Sequence, residues 1–124
     1  ICRPGEKYSR IGDVCAEEAM KYGYAICPAF GGHGLGSQVH MSPIVLHHPN
    51  DCRHYMRPGN VITIEPVVML NNTPKMLNQW FDGWTILPEP IVPSAQWEHT
   101  IQITEEGCEI LTIREGEEYK HLLE

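Results

Sequence analysis

Two long alternating segments constrain the fold more than any other feature of the sequence. Residues 60–70 (NVITIEPVVML) and residues 94–104 (SAQWEHTIQIT) alternate in polarity and contain many β-branched side chains, a pattern typical of strands. Glu105, Glu106 and Gly107 follow the second segment and predict a tight turn into CEILTI, which would complete a hairpin. These segments predict a mostly antiparallel sheet.

An amphipathic helix is predicted before these strands. Between residues 9 and 22 the apolar side chains recur at helical spacing, and Gly23 can end the helix in a left-handed cap. Short strands are predicted at residues 24–30 (YAICPAF) and 83–87 (GWTIL), and a turn at residues 71–74 (NNTP). One helix followed by mostly antiparallel strands belongs to the α+β class.

The composition fits a single domain over residues 1–124 and disfavours several function classes. The net charge is −7, from 9 Lys and Arg against 16 Asp and Glu, which argues against a nucleic-acid partner. No apolar run approaches the ~20 residues that span a bilayer, so no membrane segment is expected. The chain starts at Ile1, which indicates a piece of a longer protein, and residues 115–124 predict a frayed, solvated tail.

The cysteines indicate a reducing compartment. They are odd in number, lie far apart and form no C-x-x-C pair, which argues against a disulfide framework and against a cysteine zinc site. We therefore expect a cytoplasmic protein. The five residues are Cys2, Cys15, Cys27, Cys52 and Cys108.

Two glutamates stand at unusual positions in the predicted strands. Glu65 lies between apolar residues, and Glu98 lies between Trp97 and His99, although glutamate is depleted in strands and is seldom buried without a partner. Pro66 removes a ladder donor directly after Glu65 and predicts an edge or a bulge there. A solvated sheet face explains Glu98 equally well, but two such glutamates beside a histidine cluster favour a metal site, since carboxylate and imidazole suit divalent Mn, Fe, Co or Zn.

Three histidines, His33, His40 and His47, follow one another at intervals of seven residues. That spacing would stack them on one face of a helix, but the glycines between residues 31 and 36, together with Pro43, exclude a continuous helix there. On a straight strand, residues seven apart point to opposite faces. The three side chains can converge only if the chain bends between them, and the spacing leaves open whether they are ligands, packed residues or surface residues.

Four motifs occur in one order along the chain: GHGLGSQVHMSPIVLH, MRPGNVITIEPVV, GWTIL and SAQWEHTIQITEEGCEILT. Together they resemble the C-terminal half of the type I methionine aminopeptidases over nearly the whole chain. The resemblance implies the pita-bread fold, two pseudo-symmetric α+β halves around a curved antiparallel sheet, of which this chain would be one half. It also implies metal-dependent removal of the initiator methionine from nascent polypeptides.

The resemblance further implies a site for two divalent metal ions, with cobalt, manganese, iron and zinc as candidates. Three of the family's five protein ligands match His40, Glu65 and Glu98, and Glu98 would bridge the two ions. Glu65 would also act as general base toward the attacking water. His47 would contact the substrate carbonyl or the tetrahedral intermediate, so it is expected to bind substrate and to assist catalysis.

Other residues match positions around the family's active site. Leu46 and Trp84 would line the pocket that receives the methionine side chain. His33 would support its loop, while Gln96 and His99 would support the ligands from the strand that carries Glu98.

Two of the family's five ligands have no counterpart in this chain. The family supplies them as aspartates from strands of its N-terminal half, whereas Asp13, Asp51 and Asp82 lie here in the predicted helix and in loops. The resemblance therefore implies the N-terminal half as a partner, and we expect the isolated chain to be inactive or weakly active.

Half of a curved sheet would leave apolar surface uncovered. Trp80, Phe81, Trp84 and Trp97 are expected to form an exposed patch through which two copies could associate as a homodimer. Two alternatives to the aminopeptidase interpretation stay open at this point. One is a non-enzymatic pita-bread relative that binds proteins, and the other is an X-Pro peptidase of the same fold.

Overall fold

The computed structural model describes residues 1–70 and 76–117, except for the side chain of Met76. The turn predicted at residues 71–74 and positions 118–124 of the predicted tail lie outside the described residues. The described part contains one helix, α1 (Ser9–Lys21), and antiparallel strands. The strands are β1 (Tyr24–Ile26), β2 (Gly31–Gly34), β3 (Met41–Leu46), β4 (Val61–Ile64), β5 (Val67–Leu70), β6 (Met76–Gln79), β7 (Ile86–Glu89), β8 (Ser94–Gln96), β9 (His99–Ile103) and β10 (Cys108–Ile110).

The strands form three antiparallel sheets within the described residues. The largest has the order β10-β9-β4-β2-β3, a second has the order β1-β5-β8, and β6 pairs with β7 in a two-stranded hairpin. This arrangement confirms the predicted α+β class with a mostly antiparallel sheet. The predicted hairpin after residue 104 is also present, as β9 paired with β10.

Each of the two long alternating segments is broken in its middle, so the prediction of two continuous strands is wrong. Residues 60–70 divide at Glu65 and Pro66 into β4 and β5, which belong to different sheets. Residues 94–104 divide at Trp97 and Glu98 into β8 and β9. Proline has no backbone N–H to donate to the hydrogen bonds between strands. The irregularity predicted at Pro66 is confirmed, and the neighbouring strand is interrupted at the same level.

Helix α1 covers one face of the largest sheet. Its residue Ile11 and the preceding Tyr8 are buried in the main apolar cluster. The helix ends as predicted, since Gly23 has a positive φ of 75° and its N–H bonds to the carbonyl of Met20. No helix of the described residues is long and apolar enough to cross a membrane. The sheet side of this cluster consists of Val45, Met56, Ile62, Ile101 and Ile103.

Gly12 sets how closely α1 approaches the end of β3. A Cβ atom at this position would collide with the carbonyl oxygen of His48, which directly follows His47. The side-chain amide of Asn50 donates to the same carbonyl at 2.8 Å. Helix α1 therefore packs directly against the backbone that follows His47, one of the predicted site residues.

Candidate functional site

The two predicted carboxylate ligands occupy matching positions on neighbouring strands. Ile64 pairs with His99 on one side of the strand break, and Val67 pairs with Gln96 on the other. The two ladders keep the same register across the break. Continued into the break, this register sets position 65 across from position 98 and position 66 across from position 97. Directly opposed residues of an antiparallel pair have Cβ atoms about 4.5–5.5 Å apart. The register therefore gives the two glutamates facing backbone positions at the break between the sheets.

Two hydrogen bonds and one longer contact join Glu65 to the neighbouring strand β2. The backbone N–H of His33 donates to Thr63 Oγ1 at 3.0 Å, and this hydroxyl donates to Glu65 Oε1 at 2.8 Å. The ring of His33 returns to the same carboxylate, with Nε2 3.5 Å from Oε1. Its other nitrogen, Nδ1, donates to the carbonyl of Gly34 at 3.0 Å, because a carbonyl oxygen can only accept. His33 is therefore linked to Glu65 through the Thr63 hydroxyl, and its ring lies beside the carboxylate.

His33 and His40 converge although they are seven residues apart. The chain reverses between β2 and β3, and the two ring centroids lie 4.4 Å apart with their planes inclined at 57°. A register shift between His33 and Gly34 accompanies the reversal. A Cβ atom at Gly34 would collide with the carbonyl of Ser42, so glycine permits this close approach. His40 is exposed at the end of the loop, where it can accept a further contact.

His47 is completely buried, and it holds the backbone of Glu65. Its Nε2 accepts the backbone N–H of Glu65 at 3.1 Å, so the ring proton resides on Nδ1. Burial, reinforced by the charge of His48, lowers the pKa of His47 to about 4, which keeps the ring neutral at pH 7. Nδ1 finds no hydrogen-bond partner among the described residues. Its N–H is the donor that this histidine offers, and its predicted contact with substrate stays a prediction.

His99 connects the strand break at Trp97 to Thr112, which follows β10. Trp97 Nε1 donates to His99 Nε2 at 3.0 Å, so His99 Nδ1 carries the proton and donates to Thr112 Oγ1 at 3.0 Å. The guanidinium of Arg114 lies over the Trp97 ring, 4.3 Å from its centroid. These contacts flank Glu98 on both sides along the chain. The predicted role of His99 in supporting the ligands stays a prediction.

The residues predicted near the methionine pocket do not all meet. Leu46 lines a cleft of about 520 Å³ together with His33 and His40. Trp84 instead lies at the tip of the β6–β7 hairpin and is 87% exposed. Gln96 is exposed at the end of β8. Of these residues, the structure brings only Leu46 to the two histidines.

Thr63, Thr112 and Arg114 contribute to this region and were not identified from the sequence. Thr63 could have been found, because it shares a strand face with Glu65 two residues away. Thr112 is the last residue of the motif that contains Glu98, and Arg114 lies just beyond that motif. Their contribution depends on contacts between distant parts of the chain.

The side chains predicted as ligands are of the types that bind a divalent metal ion, but they are too few to complete its coordination. Imidazole and carboxylate groups suit divalent transition ions, and His40, Glu65 and Glu98 provide both. In residues 1–70 and 76–117, however, no group of three or more His, Cys, Asp or Glu side chains is arranged to hold a metal ion. The assignment of His40, Glu65 and Glu98 as metal ligands therefore stays a prediction.

The fold and these donors define a class of metallopeptidase, and the comparison with known families agrees. Metallopeptidase family M24 matches residues 1–105, and the chain belongs to this family. Its curated relatives include the chloroplastic/mitochondrial methionine aminopeptidase 1D of Arabidopsis thaliana, 42% identical over 112 residues. They also include a methionine aminopeptidase of Chlamydia trachomatis, 38% identical over 113 residues. The resemblance inferred from the four motifs is confirmed.

A solved structure shows the same fold over most of the chain. The methionine aminopeptidase of Rickettsia prowazekii superposes with a TM-score of 0.83 at 34% sequence identity, covering 90% of this chain and 45% of that one. The expected half of a pita-bread fold is thereby confirmed. The chain spans 31% of the Arabidopsis relative and 38% of the Chlamydia relative, while those alignments cover 90% and 91% of this chain.

Proposed function

We propose that this chain is part of a metal-dependent aminopeptidase that removes the N-terminal methionine from nascent polypeptides. The observation that carries the proposal is the strand register at the break between the two sheets, which gives Glu65 and Glu98 facing positions, together with His33, whose ring lies near both Glu65 and His40. Two opposed carboxylates beside imidazoles form the type of donor set that the proposed chemistry requires. The M24 relatives named above are methionine aminopeptidases, which supports the same substrate.

Each residue has a defined role in this proposal. His40, Glu65 and Glu98 would hold the metal, and a divalent ion, when bound, polarises a peptide carbonyl and helps to ionise water. Glu65 would accept the proton of the attacking water, with its carboxylate oriented by Thr63 and His33. His47 would remain neutral and offer Nδ1–H as a donor to developing negative charge.

Further parts of the proposal concern partners and surroundings. We propose that cobalt, manganese, iron or zinc fills the site as two ions, and that the absent aspartates come from an N-terminal half of the same catalytic domain. We also propose a cytoplasmic location, which the five free cysteines support because reducing compartments preserve free thiols. The exposed Trp80, Phe81, Trp84 and Trp97 support a homodimer.

Hydrolysis of a Met-Ala-Ser tripeptide with added Co²⁺ or Mn²⁺ tests the proposal. The assay compares this chain alone with the chain mixed with the N-terminal half of the Rickettsia prowazekii relative, each with and without EDTA. We expect turnover only in the mixture with metal, because the chain alone lacks two ligands. Turnover by the isolated chain would contradict the claim that the aspartates are essential.

Matched variants identify the residues that act. Glu65→Gln and His40→Ala should each abolish turnover in the mixture, whereas Glu106→Gln, which changes an exposed glutamate in the turn after β9, should not. Cleavage of a Gly-Pro peptide in place of Met-Ala-Ser would favour the X-Pro alternative. If neither peptide is cleaved, the result would favour the alternative of a non-enzymatic binding protein.

A further inference from the structure

A second cleft, of about 750 Å³, lies between β3 and residues 52–57. Ile44 and Leu46 line it from β3, and Arg53, Tyr55 and Arg57 line it from the facing segment. Its volume is within the range of ligand-binding clefts. Neither Glu65 nor Glu98 borders it.

The wall opposite β3 is fixed by backbone hydrogen bonds. Tyr8 N–H donates to the carbonyl of His54 at 3.1 Å, and Met56 N–H donates to the carbonyl of Glu6 at 2.8 Å. Asn60 Oδ1 accepts both the Tyr8 hydroxyl and the backbone N–H of Arg57, each at 2.9 Å. A wall held in this way loses little conformational freedom when a ligand binds, which favours affinity.

The charge of this cleft is opposite to the charge of the whole chain. Its described lining includes two arginines and His54 but no aspartate or glutamate. Neither Arg53 nor Arg57 forms an ion pair with a carboxylate of the described residues, although the chain has a net charge of −7. Two uncommitted guanidinium groups favour an anionic ligand, since each can bind a carboxylate through two parallel hydrogen bonds.

Apolar surface adjoins the arginines. Ile44 is 69% exposed and Tyr55 is 53% exposed, and both line the cleft beside Pro43 and Leu46. Tyrosine and arginine are the residue types that contribute most often to binding energy at protein interfaces. A ligand that matches both halves of the cleft carries carboxylates and apolar groups together.

We propose that this cleft binds an extended acidic peptide segment of a partner protein, in which acidic and apolar side chains alternate. Successive side chains of an extended chain point to opposite sides, so its carboxylates can reach Arg53 and Arg57 on one wall while its apolar side chains contact Ile44 and Leu46 on the other. The apolar wall formed by Ile44 and Leu46 favours a peptide, which can offer aliphatic side chains, over the phosphate backbone of RNA. The proposal is independent of the proposed peptidase activity.

Fluorescence anisotropy with the full chain tests this inference. The probes are a short fluorescein-labelled peptide of alternating Glu and Leu, the same peptide with Lys in place of Glu, and a single-stranded RNA of similar length. The Arg53→Ala/Arg57→Ala variant should weaken binding of the Glu peptide by about two- to thirtyfold, because it removes two exposed cationic partners of the peptide carboxylates. Higher salt should weaken it further.

A matched control separates local contacts from net charge. Arg3→Ala/Lys21→Ala removes the same two positive charges outside the cleft and should leave binding of the Glu peptide nearly unchanged. An equal loss in both double variants would overturn the inference, as would equal binding of the Lys peptide or no binding of the Glu peptide. Tighter binding of RNA through Arg53 and Arg57 would replace the acidic peptide with a nucleic-acid ligand.

Discussion

At the scale of single residues, the hydroxyl of Thr63 connects the backbone of His33 on β2 to the carboxylate of Glu65. It is 2% exposed, accepts from the His33 N–H and donates to Glu65 Oε1. A buried polar group that loses its partner costs about 1–3 kcal/mol. Thr63 therefore stabilises the fold and orients a predicted ligand through the same hydrogen bonds.

Thr63→Val should lower the free energy of unfolding by about 1–3 kcal/mol, since valine keeps the shape and leaves two polar partners unsatisfied. Urea unfolding measures the change. Thr63→Ser is the control, because serine retains the hydroxyl, and it should lose clearly less. Equal losses in the two variants would assign the effect to the methyl group.

Cys2 and Cys108 should differ in reactivity toward iodoacetamide. Burial, together with nearby Cys108, raises the pKa of Cys2 to about 12 from an ordinary value of 9.0. Only the thiolate reacts, and three pKa units reduce the thiolate fraction about a thousandfold. At pH 8 the exposed Cys108 should therefore be alkylated well before Cys2, as followed by peptide mass spectrometry. Similar rates for the two cysteines would contradict this.

The same pKa shift has a consequence for stability. Below pH 9 both the folded and the unfolded chain keep the Cys2 proton, so this group contributes no pH dependence. Between about pH 9 and pH 12 the unfolded chain releases the proton while the folded chain retains it, so the free energy of unfolding falls as pH rises. Urea unfolding of the chain and of Cys2→Ala across this range should show a steeper decline with Cys2 present.

At the scale of elements, the contact between α1 and the end of β3 depends on Gly12. Alanine favours a helix over glycine by about 1 kcal/mol, so Gly12→Ala would stabilise an isolated helix. In the folded chain the added Cβ would meet the backbone carbonyl of His48, which a rotamer change cannot move. We expect this steric overlap to outweigh the gain in helix propensity. Urea unfolding should therefore show a free energy of unfolding that is lower by about 1–3 kcal/mol.

Gly107→Ala is the matched control for this prediction. A Cβ atom at Gly107 would meet no heavy atom within 4 Å, so the free energy of unfolding should change by less than about 0.5 kcal/mol. A stabilised Gly12→Ala variant would show that α1 moves away from His48 at little cost.

At the scale of the whole molecule, the β6–β7 hairpin presents aromatic side chains on a well-ordered turn. Asp82 accepts from the backbone N–H groups of Trp84 and Thr85 and from the Thr85 hydroxyl. Trp80 and Phe81 are stacked, with ring centroids 6.2 Å apart, and Phe81 is completely exposed. Apolar side chains held in this way favour association with another surface.

Phe81→Ser should weaken self-association without affecting the fold, because Phe81 contributes little buried area. Sedimentation velocity over a range of concentrations measures association, and urea unfolding should show a change within about 0.5 kcal/mol. Self-association that is unchanged in Phe81→Ser would exclude the hairpin tip as the contact between copies.

The sequence alone determined the elements whose signals are local. The periodicity of residues 9–22 predicted α1, Gly23 marked its end, and the alternation around Glu65 and Glu98 predicted antiparallel strands. The motifs also identified the family, because their order and spacing are properties of the chain itself. In each case the decisive interactions join residues that are close in sequence.

Only the tertiary structure decided which side chains meet. It brought His33 to His40 through a chain reversal, buried His47 under the backbone of Glu65, and left Trp84 exposed at a hairpin tip. It also divided each long strand between two sheets, with Glu65 and Glu98 in the break between them. Register between strands depends on packing against distant residues, and no local pattern of amino acids records that packing.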